Sequence, residues 1–266
     1  MTDFDPRHYW EQALGRHFDL QGVGYGSLGL QYNIWMYRLR KVIFARLLRI
    51  ANLDARHSDV LDVGCGTGFY IDQWLAAGAR SVTGADLTET SVAQLRQRFP
   101  TARFVQADIG ASPNPLGGRH FDVIDAFDVL FHIVDDARYA QAFVNLYEVL
   151  RPGGTFVFSD NFVHHDELRG RHHVSRSLQQ TEDAVRAAGF TIERRMPMFV
   201  LMNQPVDVRS ELGPRIWGRT VTLASKHEAL GWAIGAAIYP IDRVLTRWLT
   251  ESPTTEMMVC RKLARP

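Results

Sequence analysis

Apolar positions change rhythm twice along the chain. In residues 1–54 they recur at helical spacing, and Trp35, Leu39, Val42, Ile43 and Leu47 mark one face that can pack. The cluster Gly22-Val23-Gly24-Tyr25-Gly26 splits this aromatic-rich zone into two helical pieces. From 59 to 195, short apolar runs alternate with helical segments. Residues 60–63, 81–86, 103–107, 121–126, 155–159 and 190–195 read as strands, and 69–77, 89–99 and 137–150 as helices. Gly78 and Pro100 stop two of these helices, and Arg151-Pro152-Gly153-Gly154 reads as a turn. Ser177 with Gln180 makes a capping box opening a helix that ends at Gly189. This alternation predicts βα units around a mostly parallel sheet. Residues 197–252 interrupt it, and 255–261 close the chain as a β-like run.

Within the interruption, 229–249 is rich in apolar residues, among them Trp232, Ile234, Ile238, Ile241 and Trp248. Pro240 breaks the run, and Asp242, Arg243 and Arg247 would lie at bilayer depth at high cost. The stretch therefore reads as an amphipathic lid or cap helix, with a helix resting on a membrane surface as the alternative.

Bulk composition changes this picture little. A length of 266 residues suits one elaborated α/β domain: a helical cap or lid over 1–54 and a main domain over 55–266, with 197–252 as a lid-like helical insertion. Hydrophobic residues at 46% and charged residues at 22% allow a full core. A formal net charge of +1 calls for neither nucleic acid nor an anionic membrane. Two cysteines, Cys65 and Cys260, suggest neither a disulfide framework nor a zinc site. The opening Met1-Thr2-Asp3-Phe4-Asp5-Pro6 lacks a basic stretch followed by an apolar run, so a cytoplasmic protein is expected. No internal repeat or low-complexity tract is evident.

The candidate chemistry begins at Gly64-Cys65-Gly66-Thr67-Gly68, which follows a buried strand and opens a helix. Glycines there allow a tight turn and let a ligand approach the main chain, beside the unpaired N–H groups of the helix start. Alone, such a loop says only that a nucleotide-like ligand meets a strand–helix turn. Asp86 ends the next strand, where a carboxylate can accept both ribose hydroxyls, and Asp108 follows the third strand, placed for an adenine edge. Asp62 would face the amine of an amino-acid moiety. A dinucleotide would want a third glycine at position 69, which is Phe69, so pyrophosphate fits poorly.

Taken in order, five segments resemble class I S-adenosylmethionine-dependent methyltransferases. Val60-Leu61-Asp62-Val63-Gly64-Cys65-Gly66-Thr67-Gly68 is similar to that family's first motif, Gly84-Ala85-Asp86-Leu87 to its acidic motif, and Gln106-Ala107-Asp108-Ile109 to its adenine-contacting motif. The run from Phe121 to His132 resembles the fourth-strand motif, and Leu150-Arg151-Pro152-Gly153-Gly154 the turn before strand five. The resemblance covers roughly residues 55 to 200 and the last strand. It implies an α/β, Rossmann-like three-layer sandwich: a seven-stranded, mostly parallel sheet with an antiparallel last strand, here flanked by the cap and the insertion. It also implies S-adenosyl-L-methionine as cofactor and S-adenosyl-L-homocysteine as product. The cofactor residues carried over are Asp62, Gly64, Cys65, Gly66, Gly68, Asp86, Leu87, Asp108, Ile109 and Phe127, and Tyr32 is added from the aromatic cap.

The activated sulfonium methyl mainly needs an aligned nucleophile and exclusion of water, with a base only where the acceptor loses a proton. His132 is the base candidate, against a helix-start histidine that only shapes the pocket. Asp128 either reaches the cofactor's amino-acid end or caps the following helix. With Asp160-Asn161 it resembles the cation-holding set of catechol-type O-methyltransferases, but it sits one residue off, so a loop-capping pair is preferred and no metal is assigned. His164-His165 and His172-His173 lack ligand spacing and read as a solvated or substrate-facing loop. Tyr25, His132, His164 and Asn161 are the expected acceptor-pocket residues. Aromatic lid segments favour an apolar or aromatic small molecule undergoing O-, N- or C-methylation.

Three other functions compete. An RNA or protein methyltransferase would show a basic stripe, and the nearest candidate, Arg38, Arg40, Lys41, Arg46 and Arg49, reads as a solvated helix face. A nicotinamide oxidoreductase lacks its glycine and an identifiable hydride-transfer acid. A non-catalytic cofactor-binding module is the third. The acceptor and the oligomeric state are not legible.

Overall fold

The computed structural model describes residues 4–264, so residues 1–3 of the opening read above and the last two of the main domain lie outside the described residues. Helices α1 (Pro6–Arg16), α2 (Leu20–Val23) and α3 (Gly29–Ile50) lead into the alternating core. That core runs β1 (Asp59–Val63), α4 (Phe69–Ala76), β2 (Ser81–Asp86), α5 (Glu89–Arg98), β3 (Arg103–Gln106), β4 (Phe121–Ala126), α6 (Asp136–Val149) and β5 (Leu150–Asp160). A short hairpin, β6 (Leu168–Arg169) and β7 (Val174–Ser175), precedes α7 (Leu178–Ala187) and β8 (Thr191–Pro197). Helices α8 (Leu212–Ala224) and α9 (Glu228–Trp248) then lead to β9 (Glu256–Arg261).

The seven main strands form one sheet in the order β3-β2-β1-β4-β5-β9-β8, and β9 is antiparallel to both neighbours. Alternate strand residues feed two cores, as the two-residue pleat requires. Val60, Val82, Val123 and Val157 join the core under α3, α4 and α5, while Leu61, Ile124, Phe156 and Phe158 join that under α6 and α7. Burial on both faces explains why these strands read as continuous apolar runs. The chain order reverses between β1 and β4, and the crevice there opens at the strands' carboxyl ends.

The sequence expectations change in three places. The turn expected at 151–154 lies inside β5, which pairs from Leu150 and bulges before Thr155. Pro240 does not break its helix: α9 runs through it with Pro240 on the exposed side, anchored by buried Gly235 and Thr246 on the inner one. Asp242, expected as a charge against burial, is itself buried and accepts N–H bonds from Val200 (2.8 Å), Leu201 (3.2 Å) and Met202 (2.9 Å). Three donors offset much of the desolvation cost of that carboxylate.

The insertion also sits differently from a lid. Helix α9 packs along α3, where Gly235 leaves room for Trp35 and the Arg46 guanidinium donates to the Thr246 carbonyl (2.7 Å). Only the loop before α8, at Asn203, Gln204 and Val206, reaches the crevice. Helices α8 and α9 brace α3 from behind.

Candidate functional site

The glycine loop is held open by its own backbone. Gly64 and Cys65 N–H both donate to the Ala85 carbonyl (2.7 and 3.2 Å), pulling the loop across the end of β2. Gly64 adopts φ 67°, and a Cβ there would stand 2.3 Å from a Val129 methyl. The Gly66 N–H donates to Asp86 Oδ2 (2.8 Å), and the Ser91 hydroxyl donates to the Gly66 carbonyl (2.6 Å). Thr88 supplies a backbone N–H (2.9 Å) and a hydroxyl (2.7 Å) to Asp86 Oδ1. Burial pushes the Asp86 pKa up and these donors pull it back, leaving it above its ordinary value.

Above the loop lies a cavity of about 1360 Å³. Of the expected site residues, Gly64, Cys65, Gly66, Asp86, Leu87, Asp108, Ile109, Phe127, His132, Asn161 and Tyr25 line it. Asp108 is paired with Arg138 and accepts the Gly110 N–H (3.1 Å). The Asn161 amide donates to the Ser175 hydroxyl (2.8 Å). The Tyr25 hydroxyl donates to Gln204 Oε1 (3.0 Å), tying the cap to the 203–206 loop.

Four expected site residues lie elsewhere. Asp62 is buried behind the loop and shares a hydrogen bond with Asp125, whose Oδ1 accepts the Trp74 indole N–H (2.7 Å). Burial pushes the Asp125 pKa up to about 7 and that of Asp62 up as well, so the pair holds a proton. Gly68 caps α4 and faces Leu95 and Phe99. Tyr32 is fully buried, and its hydroxyl donates to the Met202 carbonyl (3.2 Å), so it is a packing residue. His164 is drawn away by Asp207, which accepts its backbone N–H (2.9 Å) and bonds its Nδ1 (2.6 Å).

His132 sits beneath the cap. Its Nδ1–H donates to the His172 carbonyl (2.9 Å), which leaves the Nε2 lone pair free on the neutral ring. Burial pulls its pKa down to about 4, against the lift from that carbonyl bond. Trp10 meets the His132 ring edge-on (4.8 Å) and Tyr9 stacks on His172 (5.2 Å). Glu11 pins the same helix by accepting the Glu89 (2.5 Å) and Thr90 (3.2 Å) N–H groups at the start of α5. Burial raises the Glu11 pKa, but these bonds outweigh it, and the value lies below the ordinary one. The histidine doublets therefore diverge: His172 and His173 border the cavity, and His164 and His165 sit against Asp207 and Val206.

Sequence reasoning missed Arg40. Assigned to a solvated face, it is buried in the cavity wall, paired with Asp128 and packed against the Tyr37 and Phe199 rings. The spacing Met36, Arg40, Ile43, Leu47 repeats along the buried side of α3 and was a usable signal. Asp128 is not a helix cap: Asp135 caps α6. At φ 59° it turns its carboxylate to Arg40 and accepts the Ser159 hydroxyl (2.7 Å), which in turn accepts the Asp128 N–H (2.8 Å). Asp160 lies buried against the Asn161 N–H (2.7 Å), and among the described residues no group of three or more His, Cys, Asp or Glu side chains is arranged to hold a metal ion.

Comparison with known proteins agrees with this geometry. Residues 60–154 match a family described as a methyltransferase domain. A probable S-adenosylmethionine-dependent methyltransferase of Mycolicibacterium smegmatis is 30% identical over 178 residues, 64% of this chain and 65% of that protein. One of Mycobacterium tuberculosis is 35% identical over 127 residues, 48% of this chain and 42% of that protein. The chain thus spans less than two thirds of the length of these relatives. More distant relatives bear names as different as tRNA U34 carboxymethyltransferase (Methylococcus capsulatus, 38% identical over 37% of this chain and 30% of that protein) and ubiquinone biosynthesis O-methyltransferase (Aromatoleum aromaticum, 36% identical over 38% and 42%). In fold, the chain is similar to an S-adenosylmethionine-dependent methyltransferase of Clostridium acetobutylicum (TM-score 0.53, 14% identity, 86% of this chain and 92% of that one).

Proposed function

We propose that the chain is a class I S-adenosylmethionine-dependent methyltransferase and that it methylates a small-molecule acceptor inside the cavity beneath α1. The cradle suits the cofactor: a Cβ on Gly66 would come within 3.1 Å of a Val23 methyl, so the space between loop and cap depends on glycine. Asp86 is set for the ribose hydroxyls and Asp108 for the adenine edge. Bound there, S-adenosylmethionine supplies an activated methyl carbon, taken in line by an acceptor lone pair as the carbon–sulfur electrons return to sulfur.

The observation that carries the small-acceptor reading is the cavity. At about 1360 Å³ it exceeds the roughly 300–1,000 Å³ of a single-ligand pocket, leaving room for an acceptor beside the cofactor. Tyr9, Trp10 and Tyr25 line it with aromatic surface, which favours an apolar or aromatic acceptor. His132 accepts the acceptor's hydrogen bond through Nε2. With a pKa near 4 it is too weak to ionise an alcohol beforehand, so it takes the proton late, as the methylated oxygen becomes strongly acidic. The net charge of +1 argues against the tRNA reading that one relative's name raises. Among the described residues no helix is long and apolar enough to cross a membrane, and action in the cytoplasm is part of this proposal.

Labelled S-adenosylmethionine offered with a panel of phenols, acids, amines and alcohols, and separately with bulk tRNA, tests the proposal. Label is expected in a small acceptor, and label in tRNA alone would overturn it. His132→Ala should lower kcat by about 10²–10⁴ with KM for the cofactor unchanged, and undiminished turnover would remove the assigned base.

A further inference from the structure

The outer surface of α8 and α9 is left unexplained by methyl transfer. Nine of the fifteen large hydrophobic side chains exposed among the described residues fall between 212 and 249, which marks this face as a contact surface. Trp248 is 76% exposed, Ile241 and Val244 54% each, and Ile216 55%. The charges interspersed with them are Arg215, Arg219, Lys226, Arg243 and Arg247. The two acids of the same stretch face inward or are engaged: Asp242 is buried, and Glu228 accepts the Leu30 (3.1 Å) and Gln31 (2.7 Å) N–H groups.

Beside Trp248 a groove of about 750 Å³ between α3 and α9 gathers Arg46, Arg49, Arg243 and Arg247. Among the described residues none of the four is paired with a carboxylate. Burial, and then the positive charges of Arg247, Arg49 and Arg243, pull the Arg46 pKa below its ordinary value. Guanidinium groups gathered without acids call for external anions, and a rim of tryptophan and aliphatic side chains calls for an apolar medium just behind those anions.

We propose that the α8–α9 face, with the arginine groove at its α3 edge, docks on an anionic phospholipid surface: lipid phosphates seat among Arg46, Arg49, Arg243 and Arg247, and Trp248, Ile241 and Val244 enter the headgroup boundary. This interfacial arrangement is available to an amphipathic helix that is not apolar enough to cross a bilayer. RNA would satisfy the arginines but leave the aliphatic rim without a role. A second copy of the chain, meeting this face across a two-fold axis, would set arginine against arginine. The face lies behind α3, so docking leaves the cavity mouth clear.

Co-sedimentation with phosphatidylcholine vesicles, with and without phosphatidylglycerol, tests this. The protein is expected to pellet with the phosphatidylglycerol vesicles and to be released by salt. Arg243→Gln with Arg247→Gln removes two charges worth about a factor of five each, so binding should weaken on the order of thirtyfold. Trp248→Ala should weaken it as well and abolish any blue shift of tryptophan emission on vesicle addition. All these side chains are exposed, and unchanged S-adenosylhomocysteine affinity would show that the variants fold. No binding to phosphatidylglycerol vesicles overturns the proposal, as does binding unaffected by the arginine pair. A stable dimer, or tRNA binding lost in the same variant, without vesicle binding, overturns it in favour of those partners.

Discussion

Replacing Asp125 by Asn should flatten the dependence of stability on pH. Asp125 and Asp62 are both buried behind the glycine loop, where burial keeps Asp62 protonated and pushes Asp125 up to about 7 in the folded protein. An unfolded carboxylate titrates near 4. The folded value is the higher one, so the stabilisation is complete below about pH 4 and is lost as pH rises through about 7. One proton limits the slope to about 1.4 kcal/mol per pH unit, so three units correspond to at most about 4 kcal/mol. The substituted amide would keep an acceptor for Trp74 Nε1 and an N–H for the hydrogen bond with Asp62, without a charge to create. Asp160 at about 7 and Asp242 at about 6 tilt the wild-type curve the same way, and His132 at about 4 tilts it oppositely below about pH 6.5. The difference between variant and wild type isolates the pair. Urea unfolding from about pH 5 to about pH 8 at constant ionic strength should show wild type losing stability relative to Asp125→Asn. Parallel curves would refute the raised Asp125 pKa.

Three further perturbations probe the site. Glu11→Gln removes the charge that pins α1 to the start of α5, worth roughly 1 kcal/mol, and tryptic cleavage within α1 should speed up about fivefold. Gly64→Ala must adopt φ 67° at a cost of about 1–2 kcal/mol and press on Val129, so the thermal midpoint and S-adenosylhomocysteine affinity should both fall. Arg40→Met strands the Asp128 carboxylate in the cavity wall and should cost about 3 kcal/mol in chemical denaturation, whereas the double change with Asp128→Asn should recover part of it.

Strands β1, β2 and β4 were legible to within a residue because both faces are buried, so their apolar runs carry the signal without context. The capping box at Ser177 and Gln180 was legible because its partners are local. What escaped depends on distant partners. The β6–β7 hairpin has two-residue strands with no period to detect. Asp242 reads as a surface charge until the 200–202 backbone is folded against it, and Arg40 reads as solvated until Asp128 arrives from the end of β4. Asp86, Asp108, Gly64 and Gly66 of the motifs lie at the cavity, but a motif does not state orientation. Asp62 points from its strand into the pair with Asp125 for that reason.

Calorimetric titration with S-adenosylhomocysteine and, separately, NAD tests the central claim most directly. The glycine loop, Asp86 and Asp108 predict saturable S-adenosylhomocysteine binding that weakens on the order of a hundredfold in Asp86→Ala, as charged hydrogen bonds to the ribose are lost. Binding of NAD with none of S-adenosylhomocysteine would contradict it.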